Sequence, residues 1–378
     1  MEVPFYRHSV NKDDIARVVS TLEGMFLTTG GVTTEFECKF ADLFEVNHCI
    51  GTTNCTSAAE LALRIWDVGP GDEVIVPTMS YVATAQSVAL RGAKPVFVDS
   101  DGQTGLIDLN QIEAAITENT KVIMPVHLYG VMVDMVALKV IADKHGLKIL
   151  EDSAHAVVSS RDGIKPGQMS DAAVFSFYAT KNITSGEGGA LICNDDKFAE
   201  DFRRGTCCGV TKTAHSRRKE GEKAYVGYDS VQVAGKCNMT NIQASLLIGQ
   251  IDRLPMDRAK RGELVALYRK LLADFGPVEL PHAPDGIDSS HYVMVALLQD
   301  GTRDGIFRTF GEKGIGCAVN FDPIHLKTIF KQLSGYKEGD FPVAENWGRR
   351  CITLPLYNGL EEEQVRYVTD TIKAAYGK

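Results

Sequence analysis

The feature that most constrains this chain is an alternation. Short apolar runs of strand length recur between helix-periodic stretches through the first two thirds of the sequence. HCIGT (48–52), EVIVP (73–77), KPVFVD (94–99), KVIMPV (121–126), LKILED (147–152), AAVFSF (172–177) and GALICN (189–194) read as strands. Helical patterns precede the first run at Lys12–Leu22 and Thr34–Leu43, and AAELALRIW and VATAQSVALRG follow the first two runs. Strands separated by helices imply an α/β fold built on a mainly parallel, doubly wound sheet. Ligands of such sheets bind beyond the carboxyl ends of the strands, so residues at strand ends are the first candidates for function.

The chain has 378 residues, enough for two domains. The expected division is a large domain over 1–255 and a smaller C-terminal α+β domain over 256–378. In the latter, HYVMVALLQ (291–299) reads as a strand and EEQVRYVTDTIKAAY (362–376) as a closing amphipathic helix. A helical pattern over 239–254 continues through Asp257–Leu272, and the charged, Gly- and Ser-containing stretch from Gly209 to Lys236 reads as a long loop that is either disordered or functional. The net charge of −9 argues against a nucleic-acid partner, which would need a strong basic patch. The apolar stretch Val122–Ala142 contains His127, Asp134 and Lys139 and reads as a buried strand and a helix rather than a membrane span. MEVPFYRHSVNKDD at the start has no apolar run, so a cytoplasmic location is expected. Nine cysteines without a CxxC pair, the adjacent Cys207 and Cys208 among them, point to free thiols in a reducing compartment.

Four strand ends carry unusual residues. NCTSAAE (54–60) places small polar residues where a strand passes into a helix; free amides there suit a phosphate, although Thr56 or Ser57 could equally be an ordinary N-cap. Tyr81 follows the second strand, where an aromatic can stack on a planar ring. LEDSAHA (150–156) ends an apolar strand on Glu151 and Asp152, with His155 three residues on. FSFYATKNITSGEGGA (175–190) carries Ser176, Lys181 and a glycine-rich turn. Each has a bland reading alone: a cap, a packed ring, a surface lysine. Together they meet the needs of pyridoxal 5′-phosphate: a lysine for its aldehyde, a carboxylate for its ring nitrogen, a stacking aromatic and a phosphate cup. The dinucleotide fingerprint GxGxxG is missing, which argues against a nicotinamide dehydrogenase.

These segments resemble the DegT/DnrJ/EryC1/StrS family of sugar aminotransferases, which have the aspartate aminotransferase fold, fold type I of the pyridoxal-phosphate enzymes. The resemblance covers nearly the whole chain, through FLTTGGVTTEFECKFADLF (26–44), NCTSAAELAL, VIVPTMSYVAT, PVHLYG (125–130), LEDSAHA, FSFYATKNITSGEGG, GKCNMTNIQASLLIGQIDRL (235–254) and ITLPLY (352–357). It implies that Lys181 binds the cofactor as a Schiff base and shuttles the proton, that Asp152 pairs with the pyridinium nitrogen, that His155 lies near the ring and that Tyr81 stacks on it. It also implies that Cys55, Thr56 and Ser176 hold the phosphate, that Asn238 reaches the phosphate of a second subunit in a homodimer with shared active sites, and that His325 lies near the sugar. The amino donor implied is L-glutamate. The acceptor implied is a nucleotide-linked 4-keto sugar for cell-surface polysaccharide or lipopolysaccharide synthesis; a non-nucleotide aldehydo-sugar acid, such as an 8-oxo octulosonate, is the second reading. A sugar dehydratase branch of the family carries histidine where Lys181 stands, and a non-catalytic member would be expected to lose part of the cofactor set. No metal is implied. Two segments depart from the family pattern on the substrate side: AGKCN places Lys236 and Cys237 where tyrosines are usual, and NFDPIH places Phe321 and Asp322. Arg217 and Arg218, in AHSRRKEGEKAY, could meet an anionic substrate or form a solvated charged loop.

Overall fold

The computed structural model describes residues 1–220, 227–281 and 283–377, the side chains of 218–220 excepted. Its strands are β1 (His48–Thr52), β2 (Glu73–Pro77), β3 (Lys94–Val98), β4 (Thr120–Ile123), β5 (Lys148–Asp152), β6 (Ser160–Arg161), β7 (Ala172–Ser176), β8 (Gly189–Cys193), β9 (Val278–Glu279), β10 (Ile287–Asp288), β11 (Met294–Leu298) and β12 (Cys351–Leu354). The helices are α1 (Lys12–Glu23), α2 (Gly31–Phe44), α3 (Cys55–Ile65), α4 (Ala83–Ala89), α5 (Leu109–Ala115), α6 (Met135–His145), α7 (Asp196–Gly205) and α8 (Ala214–Glu220). They continue as α9 (Asn241–Leu272), α10 (Arg303–Glu312), α11 (Thr328–Ser334), α12 (Pro342–Arg350) and α13 (Glu362–Ala375).

Seven strands form one sheet in the order β1-β8-β7-β5-β4-β2-β3. The pairs β7–β5, β5–β4, β4–β2 and β2–β3 are parallel, and β8 runs antiparallel to both β1 and β7. The sheet is therefore mainly parallel, as expected. Every residue of β2, β7 and β8 is buried, which is why those strands read as continuous apolar runs rather than alternating ones. Because β1 and β7 point the same way as β2 and β5, the turns after all four open on one edge of the sheet.

A second apolar core gathers Leu264, Tyr268, Leu298, Phe310, Leu354 and Ile372 around the sheet β12-β11-β9. Val3 belongs to this core as well, because it pairs with Ile315 and its amide bonds the Gly314 carbonyl at 2.9 Å. The expected boundary at residue 255 falls inside α9. The first half of that helix packs Ala244, Leu247, Ile251 and Leu254 against Phe36, Phe40 and Phe177, and its second half feeds the other core with Leu264, Tyr268 and Leu272. One continuous helix thus joins the two cores, and the N-terminal residues return to the second.

The stretch from 209 to 236 is not a featureless loop. Cys207 pairs with Lys236 and Val210 with Ser230, forming an antiparallel arm, and α8 lies beyond it. All nine cysteines are free thiols. Among the described residues no helix is long and apolar enough to cross a membrane.

Candidate active site

A cavity of about 760 Å³ opens at the carboxyl edge of the large sheet. The turns after β1, β2, β5 and β7 supply Asn54–Ser57, Ser80–Tyr81, Asp152–His155 and Ser176–Lys181, and the C-terminal part of the chain supplies Tyr292, Asn320 and Phe321. Seven of the residues expected at the site, Cys55, Thr56, Tyr81, Asp152, His155, Ser176 and Lys181, line this one space.

At the floor, α3 begins at Cys55 and its N-cap is Asn54, whose side chain takes the Ser57 amide at 2.8 Å. Neither Thr56 nor Ser57 is the cap; the Ser57 amide is spent on Asn54, and the amides of Cys55 and Thr56 are the first-turn groups that helix geometry leaves without an intrahelical partner and suited to an anion. Gly189 in β8 makes the cradle possible: a Cβ there would lie 2.4 Å from the carbonyl carbon of Asn54 and 2.5 Å from the Cys55 nitrogen. Burial pushes the Cys55 thiol well above its usual range, and the nearby Asp152 charge adds to the shift. Cys55 is therefore a neutral wall of the cup rather than a nucleophile.

Asp152 ends β5. Its Oδ2 accepts a hydrogen bond from the Thr84 hydroxyl at 2.8 Å, and its Oδ1 accepts the Ala154 amide at 3.2 Å. The adjacent Glu151 points to the opposite face of the strand, where it binds His127 Nε2 at 2.5 Å and the Gly167 amide at 2.8 Å. The tandem carboxylates thus divide between a cavity role and a structural one, as strand alternation requires.

His155 is buried, and its Nδ1 accepts the Tyr129 amide at 3.3 Å. Burial, reinforced by the Lys181 charge, drives its pKa well below the usual 6.5, so the ring is neutral and its proton sits on Nε2. It stacks on Tyr292 at 4.2 Å between ring centres. The Lys181 ammonium lies 4.5 Å over the other partner of that stack, the Tyr292 ring. Phe321 stands 5.9 Å from both His155 and Tyr81, closing the side opposite the strands.

Three expected residues lie elsewhere, and the side chain of a fourth is not described. His325 does not reach the cavity: it is fully buried, its Nδ1 bonded to the Thr78 hydroxyl at 2.6 Å and its Nε2 to Glu345 at 3.0 Å. It tethers the segment bearing Asn320 and Phe321 to the end of β2. Arg217 sits on the arm, 4.5 Å over the Tyr228 ring, and does not line the cavity of its own chain. The side chain of Arg218 lies outside the described residues. Asn238 does not line its own chain's cavity either; its Nδ2 donates to Thr29 at 2.7 Å on the surface. Sequence reasoning in turn missed Tyr292, Asn320, Ser80 and Thr84, none of which has a local signature. Tyr292 and Asn320 reach the cavity because the chain folds back on itself, whereas Ser80 and Thr84 flank Tyr81 between β2 and α4.

Cup, carboxylate, stacking ring and lysine at one strand edge define a pyridoxal-phosphate enzyme of fold type I, and the first-turn amides of α3, which open on the cavity beside Ser176, fit the phosphate end. The model of the DegT/DnrJ/EryC1/StrS aminotransferase family matches residues 8–373. The Bacillus subtilis (strain 168) spore coat polysaccharide biosynthesis protein SpsC is 35% identical over 378 residues, covering 98% of this chain and 96% of its own. The Streptococcus pneumoniae protein Spr1654, described as a sugar aminotransferase, superposes in its PMP form with a TM-score of 0.94 at 32% identity, covering 100% of this chain and 99% of its own. S. venezuelae DesV, solved with a ketimine intermediate, gives 0.91 at 30% identity, covering 99% and 98%. The chain belongs to the DegT/DnrJ/EryC1/StrS aminotransferase family. It is an aminotransferase that uses pyridoxal phosphate, and its family implies an amino donor and a keto-sugar acceptor.

Proposed function

We propose that the chain transfers an amino group from L-glutamate to the carbonyl of a nucleotide-linked 4-keto sugar, in the synthesis of a cell-surface polysaccharide or lipopolysaccharide. The observation that carries this reading is the placement of Lys181 Nζ in the cavity that also holds Asp152, His155 and the α3 cup. Pyridoxal phosphate supplies the electron sink and carries the amino group between the two half-reactions. The α3 first turn and Ser176 hold its phosphate, Tyr81 covers its ring, and Asp152 keeps its ring nitrogen protonated. With the cofactor bound, Lys181 Nζ would be the base that removes the donor-carbon proton and the acid that returns it, with the order reversed on the acceptor. Neutral His155 donates from Nε2 toward the cofactor, its ring held in place by Tyr292.

The carboxylates of glutamate and the diphosphate of the acceptor need cations. Among the described residues lining the cavity, Lys181 is the one lysine or arginine. Arg217 on the arm supplies a cation, and the half-buried Asn238 a neutral hydrogen-bond donor, if two copies share their sites in a homodimer. Tyr292 and Phe321 then close the acceptor side. A cytoplasmic location accords with a sugar-nucleotide acceptor.

Two experiments test this. Glutamate-charged enzyme offered a panel of keto- and aldehydo-sugars should aminate a nucleotide-linked 4-keto sugar, with a nucleoside diphosphate as competitor. Absence of competition would point to the free aldehydo-sugar acid instead. Mixing Lys181→Ala subunits with Asn238→Ala subunits should restore activity above either parent, because one site of each hybrid dimer is then intact. No gain would refute shared sites.

A further inference from the structure

We propose that Thr84, oriented by Ser80, is a positioning residue that sets the Asp152 carboxylate against the ring nitrogen of bound pyridoxal phosphate. The proposal rests on the role given to Asp152 above. It starts from the direction of two hydrogen bonds. Thr84 Oγ1 lies 2.8 Å from Asp152 Oδ2, and Ser80 Oγ lies 2.9 Å from Thr84 Oγ1. An ionised carboxylate only accepts, and a threonine hydroxyl has one hydrogen, so Thr84 spends that hydrogen on Asp152. Ser80 must then donate to Thr84. The result is a one-way relay, Ser80 to Thr84 to Asp152.

The relay is buried, with Thr84 at 1% and Ser80 at 3% exposure. Hydrogen bonds in such surroundings are stronger than in water, and an unmet partner there is costly. The Ala154 amide holds the other carboxylate oxygen at 3.2 Å. Two donors from opposite sides fix the plane of the carboxylate and leave its remaining lone pairs facing the cavity. Thr84 is itself pinned: its amide bonds the Tyr81 carbonyl at 3.2 Å, and its carbonyl accepts the Ser87 hydroxyl at 2.8 Å. One turn at the start of α4 therefore places both the ring that covers the cofactor and the group that aims at its nitrogen.

A purely structural threonine and a positioning one differ in what they do to the nitrogen-dependent part of binding. The test uses two ligands: pyridoxal phosphate, and its carbocyclic analogue with C–H in place of the ring nitrogen. The quantity read is the ratio of their dissociation constants, measured by fluorescence titration of the apoprotein. Thr84→Val keeps the shape and removes the donor; it should reduce the ratio about 10-fold, while Thr84→Ser stays within about 2-fold of the parent. Ser80→Ala, should the valine variant fold poorly, should reduce it about 3-fold. Equal weakening of both ligands, or of neither, overturns the proposal. Asp152→Asn separates the two levels: if it collapses the ratio and Thr84→Val does not, only the relay is wrong. If Asp152→Asn itself preserves the ratio, the Asp152 assignment fails and the relay with it.

Discussion

The two walls of the cavity contrast in how they are built. The cofactor wall is made of consecutive residues at the ends of four strands of a single sheet, each turn fixed by its own strand and the helix after it. The acceptor wall is made of Tyr292, Asn320 and Phe321, which come from segments far apart in sequence and are held by tertiary bonds. Tyr292 is tied by Arg261, which donates to its carbonyl at 3.1 Å, and the 320–325 segment by His325 between Thr78 and Glu345. The difference teaches where constancy and variation belong. Chemistry common to a cofactor can be written into rigid strand ends, and the choice of acceptor into segments that a distant tether can reposition.

Breaking the cofactor wall should cost most. Lys181→Ala should reduce the glutamate half-reaction by at least about 10⁴-fold, followed by absorbance in single turnovers. Retained turnover would remove the lysine from the mechanism. Next in size, Gly189→Ala forces a Cβ into the backbone of the α3 cup. It should weaken pyridoxal phosphate by about 30-fold, about 2 kcal/mol, while leaving the acceptor KM of the saturated enzyme unchanged. Fluorescence titration and steady-state kinetics on the same variant show whether the two walls separate in this way. Phe321→Ala should do the reverse: it should raise the acceptor KM about 10-fold and leave cofactor affinity within about 2-fold. A change in cofactor affinity as large as the change in KM would show that the walls are one energetic unit.

The smallest effect concerns pH and spans both walls. His155 is driven well below its usual 6.5 by burial, then by the Lys181 charge; His291 is driven to about 4 by burial, then by Arg258 and other arginines; and burial lowers His325. The unfolded chain therefore binds more protons than the native one as pH falls below about 6.5. Stability should be level above that point in respect of these groups. It should drop, by on the order of 1 kcal/mol or more, as pH falls toward 4. Thermal melts across that range check the sign; rising stability on acidification would contradict the neutral, buried state of the three rings.

The same contrast explains what could be read from the sequence. The sheet was legible because buried parallel strands show as bare apolar runs, and β1 and β2 coincide with their predicted limits. Lys181, Asp152 and Tyr81 were legible because each follows such a run directly. Thr84 and Tyr292 were not, since a threonine in a helix and a tyrosine before a strand carry no mark of the neighbour they meet. His325 misled for the same reason: its chain segment lines the site through Asn320 and Phe321, while the imidazole turns inward to Glu345. The expected limit at residue 255 falls at Pro255 inside α9, between Leu254 of one core and Leu264 of the other, where no break in the helix marks the passage. Gly209–Lys236 read as a long loop, disordered or functional, because the arm pairs main chain to main chain at Cys207–Lys236 and Val210–Ser230 and needs no apolar pattern.

The account turns on a single covalent assignment, that the cofactor aldehyde is held by Lys181. Reduction of the holoprotein with borohydride, followed by proteolysis and mass analysis, tests it most directly. The phosphopyridoxyl mass should be found on the peptide containing Tyr178 to Asn182, attached at Lys181. The same mass on another lysine, or on none, would contradict the account.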